Sequence, residues 1–150
     1  MARLLALALW VGFGGYALEY ELHWRNPARA RVSGIAWQPW SSAAVEKARA
    51  GGRVVLVDFT ADWCLTCQAN KRTSIEIPSV RQKLEALSAV ALLGDYTLRD
   101  DQIAAELRLH NRAGVPLVLV YPRNRELPPL VLPELLTPQI LLDALDKASK

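Results

Sequence analysis

The feature that most constrains this fold is an apolar run that ends in a short turn and a Cys-x-x-Cys pair. Residues 53–59 are rich in β-branched side chains, and the chain's two cysteines, Cys64 and Cys67, follow them. Such a run predicts a buried parallel strand, and residues 63–74 predict a helix. Cys64 would then stand at the helix start, where unpaired N–H groups and the helix dipole stabilise a thiolate. Two thiols one helical turn apart can also close a disulfide, so the chain is predicted to make and break one.

The rest of the chain alternates strand and helix patterns. Further strands are predicted at 89–93, 115–121 and 129–132. This order predicts an α/β fold with a mixed central sheet and helices on both faces. Other helices are predicted to start after Ser41 or Ser42, at Pro78, after Asp100 or Asp101 with Ile103, Leu107 and Leu109 facing the core, and at Thr137-Pro138.

The N-terminus carries an uncharged apolar segment, residues 4–18. Its length falls short of the roughly 20 residues that a membrane-spanning helix needs. We interpret residues 1–18 as an uncleaved membrane anchor, with a signal peptide or the last helix of a larger parent as alternatives. Residues 19–39 are predicted to form a polar, proline-bearing tether, and residues 40–150 the folded domain.

Charge narrows the possible partners. The net charge of +3 is spread along the chain, and no basic run with interleaved aromatic residues occurs. Nucleic-acid binding is therefore not indicated. Arg25, Arg29 and Arg31 follow the apolar segment, and the positive-inside rule taken alone would place the domain in the cytoplasm.

The cysteine pair has alternative interpretations. A c-type haem site needs histidine directly after the second cysteine. This chain has Gln68 there, which excludes a haem attachment site. A zinc site needs two more ligands, and His23 and His110 lie far away in the sequence. A copper-binding module and a purely structural disulfide both stay open, since thiolates suit Cu(I).

Asp58 is the second chemically unusual residue, because a carboxylate within an apolar strand is costly to bury without a partner or a role. Burial should raise its pKa and suit it to proton exchange near neutral pH. The structural alternative is a carboxylate satisfied by hydrogen bonds. Asp62 is interpreted as a solvated turn residue or a helix cap, and Trp63 as an apolar shield and partner surface beside the thiols.

Three sequence blocks resemble the thioredoxin superfamily and, within it, the C-terminal thioredoxin-like domain of the DsbD family of protein-disulfide reductases. The blocks are residues 57–70, residues 95–97 with 114–121, and residues 132–138. The resemblance covers about residues 37–147. It implies a thioredoxin-like three-layer fold, preceded here by the N-terminal hydrophobic helix.

The resemblance also implies roles for individual residues. Cys64, at the helix start, would attack a partner disulfide, and Cys67 would resolve the mixed disulfide. Asp58 would lie beneath Cys67 and assist its deprotonation. A cis Val115–Pro116 bond would face the disulfide and leave the preceding backbone free to pair with an extended peptide. The predicted catalytic residues are Cys64, Cys67 and Asp58, and the predicted substrate-binding residues are Trp63, Val115 and Pro116.

The implied function is a bacterial protein-disulfide reductase, tethered to the inner membrane with its domain facing the periplasm. It would take electrons from a membrane donor of the DsbD type. It would pass them to periplasmic disulfide-bearing or cytochrome-maturation proteins, and it would need no cofactor beyond the Cys64–Cys67 disulfide. A dithiol oxidase or isomerase is the alternative, because Leu65-Thr66 does not fix the redox poise.

Overall fold

The computed structural model describes residues 34–150. Within them lies a five-stranded mixed sheet of order β1-β3-β2-β4-β5. β1, β3 and β2 run parallel, whereas β4 is antiparallel to β2 and β5 is antiparallel to β4. The strands are β1 (Trp37–Pro39), β2 (Val55–Thr60), β3 (Val90–Asp95), β4 (Leu117–Tyr121) and β5 (Leu130–Val131).

Three of the helices in the described residues begin at side-chain caps that the sequence predicts. Ser41, Asp100 and Thr137 each accept a hydrogen bond from a backbone N–H in the first turn of their helix, which satisfies donors that the helix leaves unpaired. The helices are α1 (Ser42–Ala50), α2 (Leu65–Asn70) with a π turn (Lys71–Ile75) at its end, α3 (Pro78–Ala86), α4 (Asp101–Leu109) and α5 (Pro138–Ala148).

β2 lies at the centre of the sheet, and all six of its residues are buried. Because successive strand side chains point to opposite faces, β2 contributes to two cores. On one face Leu56 joins a cluster supplied by the π turn, α3 and α5; on the other, Val57 joins a cluster supplied by α1 and α4. The predicted three-layer, thioredoxin-like α/β fold is confirmed for the described residues.

Several details differ from the sequence-based expectation. The active-site helix, predicted over residues 63–74, is instead α2 (Leu65–Asn70) followed by the π turn (Lys71–Ile75). β1 lies within the stretch assigned to the tether; it is a three-residue edge strand with no apolar alternation to mark it. β4 begins at Leu117 rather than at residue 115. Leu109 does not face the core as predicted, since it is 75% exposed. It lies two residues beyond the buried Leu107, which places it about 200° around the helix.

The predicted anchor, residues 1–18, lies outside the described residues, as does most of the predicted tether. Among residues 34–150, none of the helices has the length and apolar character needed to cross a membrane.

Candidate active site

The two cysteines meet where β2 ends and α2 begins. Cys64 is the N-cap residue of α2, and it forms a disulfide with Cys67, with their Cα atoms 5.3 Å apart. The backbone N–H of Cys67 also donates to the Sγ of Cys64 at 3.2 Å. Cys64 is 7% exposed and Cys67 2% exposed, so Cys64 is the sulfur that a partner reaches more easily.

The turn before Cys64 is held by the loop between β3 and α4. Thr97 accepts a hydrogen bond at its Oγ1 from the backbone N–H of Asp62 at 3.0 Å, and at its carbonyl from the indole N–H of Trp63 at 3.2 Å. Thr97 is fixed in turn by Asp95, whose carboxylate accepts from its N–H and its hydroxyl. Asp62 is therefore an exposed turn residue, and the cap position belongs to Cys64.

Trp63 is half exposed beside the disulfide. Its ring lies 6.4 Å from that of Tyr96, and the guanidinium of Arg99 lies 5.5 Å from its centroid. Leu65 and Leu98 are also exposed, next to Cys64 and to Thr97 in the chain. We call Trp63, Leu65 and Leu98 the apolar rim.

The Val115–Pro116 peptide bond is cis, as the resemblance predicts. Val115 packs against the cluster formed by Ala61, Cys64 and Cys67. Val115 therefore lies beside the disulfide, and Pro116 follows it immediately before strand β4.

Asp58 is 2% exposed within β2, paired in register with Leu93 and Val118. Burial raises the pKa of its carboxyl from 3.8 to about 7, Lys71 opposes this increase and Glu76 adds to it. A carboxyl with a pKa near 7 can both accept and return a proton at neutral pH. The structure thus gives Asp58 the electrostatic character that the sequence predicts.

Two buried polar residues of the same helical segment were missed by the sequence analysis. The carboxamide of Asn70 donates to the carbonyl of Glu134 at 2.7 Å and accepts from the N–H of Leu136 at 3.0 Å. The hydroxyl of Ser74 donates to the carbonyl of Leu136 at 2.9 Å. Positions 67, 70 and 74 follow helical i, i+3, i+7 spacing, which is the signal that could have placed Asn70 and Ser74 on the face of Cys67.

A surface ion pair joins two loops near the site. The Arg112 guanidinium pairs with the Glu134 carboxylate and also donates to the carbonyl of Leu132 at 3.4 Å. The segment before Pro116 is therefore connected to residues 132–136, which are themselves bound to α2 and its π turn.

Few side chains near the two cysteines could help them to bind a metal ion. Within residues 34–150, no group of three or more His, Cys, Asp or Glu residues is arranged to hold a metal ion. His110 pairs with Glu106 on α4 at 3.3 Å, and His23 lies outside the described residues. The arrangement supports thiol chemistry: an accessible sulfur, a second sulfur behind it, and a buried group able to exchange a proton.

Comparisons with known proteins agree with this geometry. A family model described as Thioredoxin-like matches residues 36–122. Thiol:disulfide interchange protein DsbD 1 of Pseudomonas aeruginosa is 28% identical over 77% of this chain, and DsbD of Klebsiella pneumoniae is 31% identical over 73% of it. The chain spans 21% and 17% of these two relatives.

A solved structure agrees as well. The oxidised C-terminal domain of Neisseria meningitidis DsbD superimposes with a TM-score of 0.58 at 19% identity, covering 75% of this chain and 99% of that domain. That likeness concerns the fold, whereas the family match concerns the sequence around the site. The chain therefore belongs to the thioredoxin-like family, and within that family it is similar to the DsbD thiol:disulfide interchange proteins.

Proposed function

We propose that this chain is a thiol-disulfide oxidoreductase that reduces disulfides in protein partners. One observation carries the proposal: an accessible sulfur, Cys64, and a buried sulfur, Cys67, form a disulfide at the start of a helix that follows a buried Asp58. The relation to DsbD proteins, at about 30% identity, supports the same activity.

The first step uses Cys64. In the reduced protein its thiolate attacks one sulfur of a partner disulfide, a new Cys64–partner S–S bond forms, and the other partner sulfur leaves as a thiolate. The N–H of Cys67, which donates to Cys64 Sγ in the disulfide, is positioned to stabilise negative charge on that sulfur.

The second step uses Cys67 and Asp58. Cys67 gives its proton to the Asp58 carboxylate, and the resulting thiolate attacks Cys64. The Cys64–Cys67 bond forms and the remaining partner sulfur leaves as a thiolate. Over both steps the partner gains two electrons and the protein loses two, while the protons equilibrate with Asp58 and solvent.

We assign partner binding to Trp63, Val115 and Pro116. An extended partner segment can pair with the backbone of Val115, as peptides do at exposed strand edges. The apolar rim offers the side-chain contacts, because its three large apolar side chains are exposed.

The cellular setting is also a proposal, drawn from the DsbD relatives. We infer that residues 1–18 anchor the chain in the bacterial inner membrane with its domain in the periplasm. Electrons would come from a DsbD-type membrane protein and pass to disulfide-bearing or cytochrome-maturation proteins.

The test is reduction of a protein disulfide by the full 150-residue chain. The prereduced protein is mixed with insulin, and the thiols formed are counted against a double variant with both Cys64 and Cys67 changed to Ser. We expect stoichiometric reduction by the wild type and none by the double variant. A redox titration against glutathione with and without Cu(I) completes the test. A potential more oxidising than that of glutathione would favour an oxidase or isomerase, and copper that abolishes titration at stoichiometric amounts would favour a metal-binding module.

A further inference from the structure

A groove of about 340 Å³ lies beside the edge strand β1. Arg53 and Arg81 line it, together with Ser88 and Gly34. Its volume falls within the range of small-molecule sites, roughly 300–1,000 Å³. A second groove of about 300 Å³ shares Arg53 with the first and adds Lys47. The two grooves therefore form one cationic surface, which the proposed thiol chemistry does not use.

Two arginines at this surface are oriented by main-chain atoms rather than by carboxylates. Arg53 donates from Nε to the carbonyl of Ser88 at 2.7 Å and from Nη2 to the carbonyl of Ala89 at 3.4 Å. Arg123 donates from Nη2 to the carbonyl of Leu87 at 3.2 Å, in the same turn. A guanidinium has more N–H donors than these contacts use, so both arginines keep donors for a ligand.

Arg81 is held by packing instead. Its guanidinium lies on the backbone of Gly34, where φ is +69° and a Cβ would clash with Nη1 of Arg81. Across residues 34–150, four basic side chains at this surface form no ion pair with a carboxylate, although Glu85 lines the larger groove. We call these four the cationic cluster: Lys47, Arg53, Arg81 and Arg123.

The cationic cluster lies at the edge of the sheet opposite the disulfide. Because β2 and β3 are parallel, Arg53 before β2 and residues 87–89 before β3 share one edge, whereas Cys64 follows β2 at the other. β4 is antiparallel to β2 and brings the chain back to the first edge before Arg123. The six residues of β2 separate the two edges by about 17 Å. A surface that contacts the cluster therefore leaves Cys64 open to a partner protein.

The two edges also differ in charge. At the disulfide edge, four aspartates stand after β2 or at and after the end of β3, with Arg99 among them: Asp62, Asp95, Asp100 and Asp101. A negatively charged surface attracts the cationic cluster and repels these carboxylates. The charge distribution would thus turn the cluster toward an anionic surface and the disulfide away from it.

We propose that the cationic cluster binds the phosphate headgroups of an anionic membrane and holds the disulfide away from the bilayer. The chain enters the described domain at Gly34, which lines the groove, and the apolar residues 1–18 precede it. Guanidinium groups suit this ligand, because their planar array of donors matches the oxygens of a phosphate. The choice of a lipid rather than a free anion rests on the membrane anchor proposed above.

The test measures access to individual arginine side chains. The full chain is reconstituted in lipid discs of phosphatidylcholine alone, or of two parts phosphatidylcholine to one part phosphatidylglycerol. Phenylglyoxal, which modifies accessible guanidinium groups, is used at low extents of reaction, and mass spectrometry gives the rate at each arginine. We expect the anionic lipid to slow modification of Arg53, Arg81 and Arg123 about tenfold, and that of the exposed Arg72 and Arg99 less than about twofold. Equal slowing at all five arginines, or none at the cationic cluster, would overturn the proposal.

Two variants of equal net charge isolate the cluster. Arg53→Gln with Arg81→Gln should lower the docking equilibrium constant about 25-fold, since each cation near an anionic surface contributes about fivefold. Arg123 should then react as fast as it does on neutral discs. Arg72→Gln with Arg99→Gln removes the same charge elsewhere and should leave Arg123 protected. An Arg123 that stays protected in the first variant, or loses its protection in both, would contradict the proposal. The comparison of wild-type rates needs no variant, so it decides the matter even where a variant fails to fold.

Further arms separate a lipid from a free anion and this proposal from those made above. Millimolar inorganic phosphate on neutral discs should change the three rates by less than about twofold. Protection equal to that given by the anionic lipid would assign the groove to a free anion and overturn the membrane proposal. A chain that does not enter the discs would defeat the proposed anchor. The same labelling is then done with vesicles of the two compositions, where protection of the cluster by anionic vesicles supports the proposal and its absence overturns it. Reduction of insulin is a separate readout, so a wild type that reduces no disulfide would defeat the proposed function while the labelling rates stay valid.

Discussion

The backbone N–H of Glu76 donates to the carbonyl of Lys71 at 2.8 Å, which closes the π turn at the end of α2. A lysine and a glutamate thereby flank that turn, and the two act on the buried Asp58 in opposite directions. π turns often occur at functional sites, and this one begins four residues after Cys67.

We expect Lys71→Met to raise the pKa of Asp58 above its wild-type value of about 7, and Glu76→Gln to lower it. Lys71 stabilises the carboxylate by its positive charge, whereas Glu76 destabilises it by its negative charge. Carboxyl-carbon NMR titration measures both shifts. Arg72→Met, a change at an exposed cation in the same π turn, is the control and should leave the titration in place. Shifts of equal sign in the two variants would contradict this view of Asp58.

The raised pKa of Asp58 makes stability depend on pH. Its pKa is about 7 in the folded protein and 3.8 in the unfolded reference, so the folded state holds a proton that the unfolded state releases between these values. The free energy of unfolding should therefore decrease as pH rises from about 4 to about 7, by roughly 4 kcal/mol, and this contribution should level off above pH 7.

Asp58→Asn should remove the part of the pH dependence of stability that the Asp58 carboxyl causes. The free energy of unfolding of the variant minus that of the wild type should therefore increase between about pH 4 and about pH 7 and then stay constant. Urea unfolding of the oxidised protein at a series of pH values measures it. The exposed Asp62→Asn is the control and should follow the wild-type curve. Two parallel curves for Asp58→Asn and wild type would contradict a raised pKa of Asp58 in the folded protein.

The two cysteines should differ as nucleophiles. Cys67→Ser should accumulate a mixed disulfide through Cys64, since the more exposed sulfur attacks but nothing resolves the adduct. Cys64→Ser should form no adduct under the same conditions, because Cys67 is nearly inaccessible. Mass spectrometry after incubation with a disulfide-bearing protein provides the measurement. An adduct with Cys64→Ser alone would reverse the two roles.

Removing the side chain of Asn70 should lower the free energy of unfolding more than removing a side-chain amide nearer the surface does. Asn70→Ala leaves the carbonyl of Glu134 and the N–H of Leu136 without this side-chain partner, which should cost about 2–4 kcal/mol in the free energy of unfolding. Gln68→Ala is the matched control, because Gln68 makes one side-chain hydrogen bond, to Ala61, and its loss should cost about 1 kcal/mol. Equal costs in chemical denaturation would show that residues 134–136 do not depend on Asn70.

The sequence predicted those parts of the fold that local pattern determines. Alternation and apolar runs placed β2 and β3, and capping residues such as Asp100 placed helix starts. The edge strand β1 was not predicted, because a run of three residues shows no periodicity and its pairing with β3 is non-local. Leu109 was misplaced because its apolar character was taken as evidence of burial at the end of a helix.

The site divides in the same way. Cys64, Cys67 and Asp58 stand within ten residues of one another, and their spacing identified them; the cis bond at Pro116 came from the family resemblance instead. The contributions of Asn70 and Thr97 could not be predicted locally. The hydrogen-bond partners of Asn70 lie 64 and 66 positions away in the chain. Those of Thr97 lie 34 and 35 positions away.

The way in which residues 134–136 are attached leaves their side chains open to change. Asn70 and Ser74 bind main-chain atoms of Glu134 and Leu136, and the side chains of Glu134 and Leu135 remain largely exposed. A substitution at position 135 would therefore alter the surface that a neighbouring protein meets without loosening the segment that carries it. This part of the molecule is suited to redesign, because exposed side chains there can be exchanged while the main-chain hydrogen bonds to Asn70 and Ser74 stay in place.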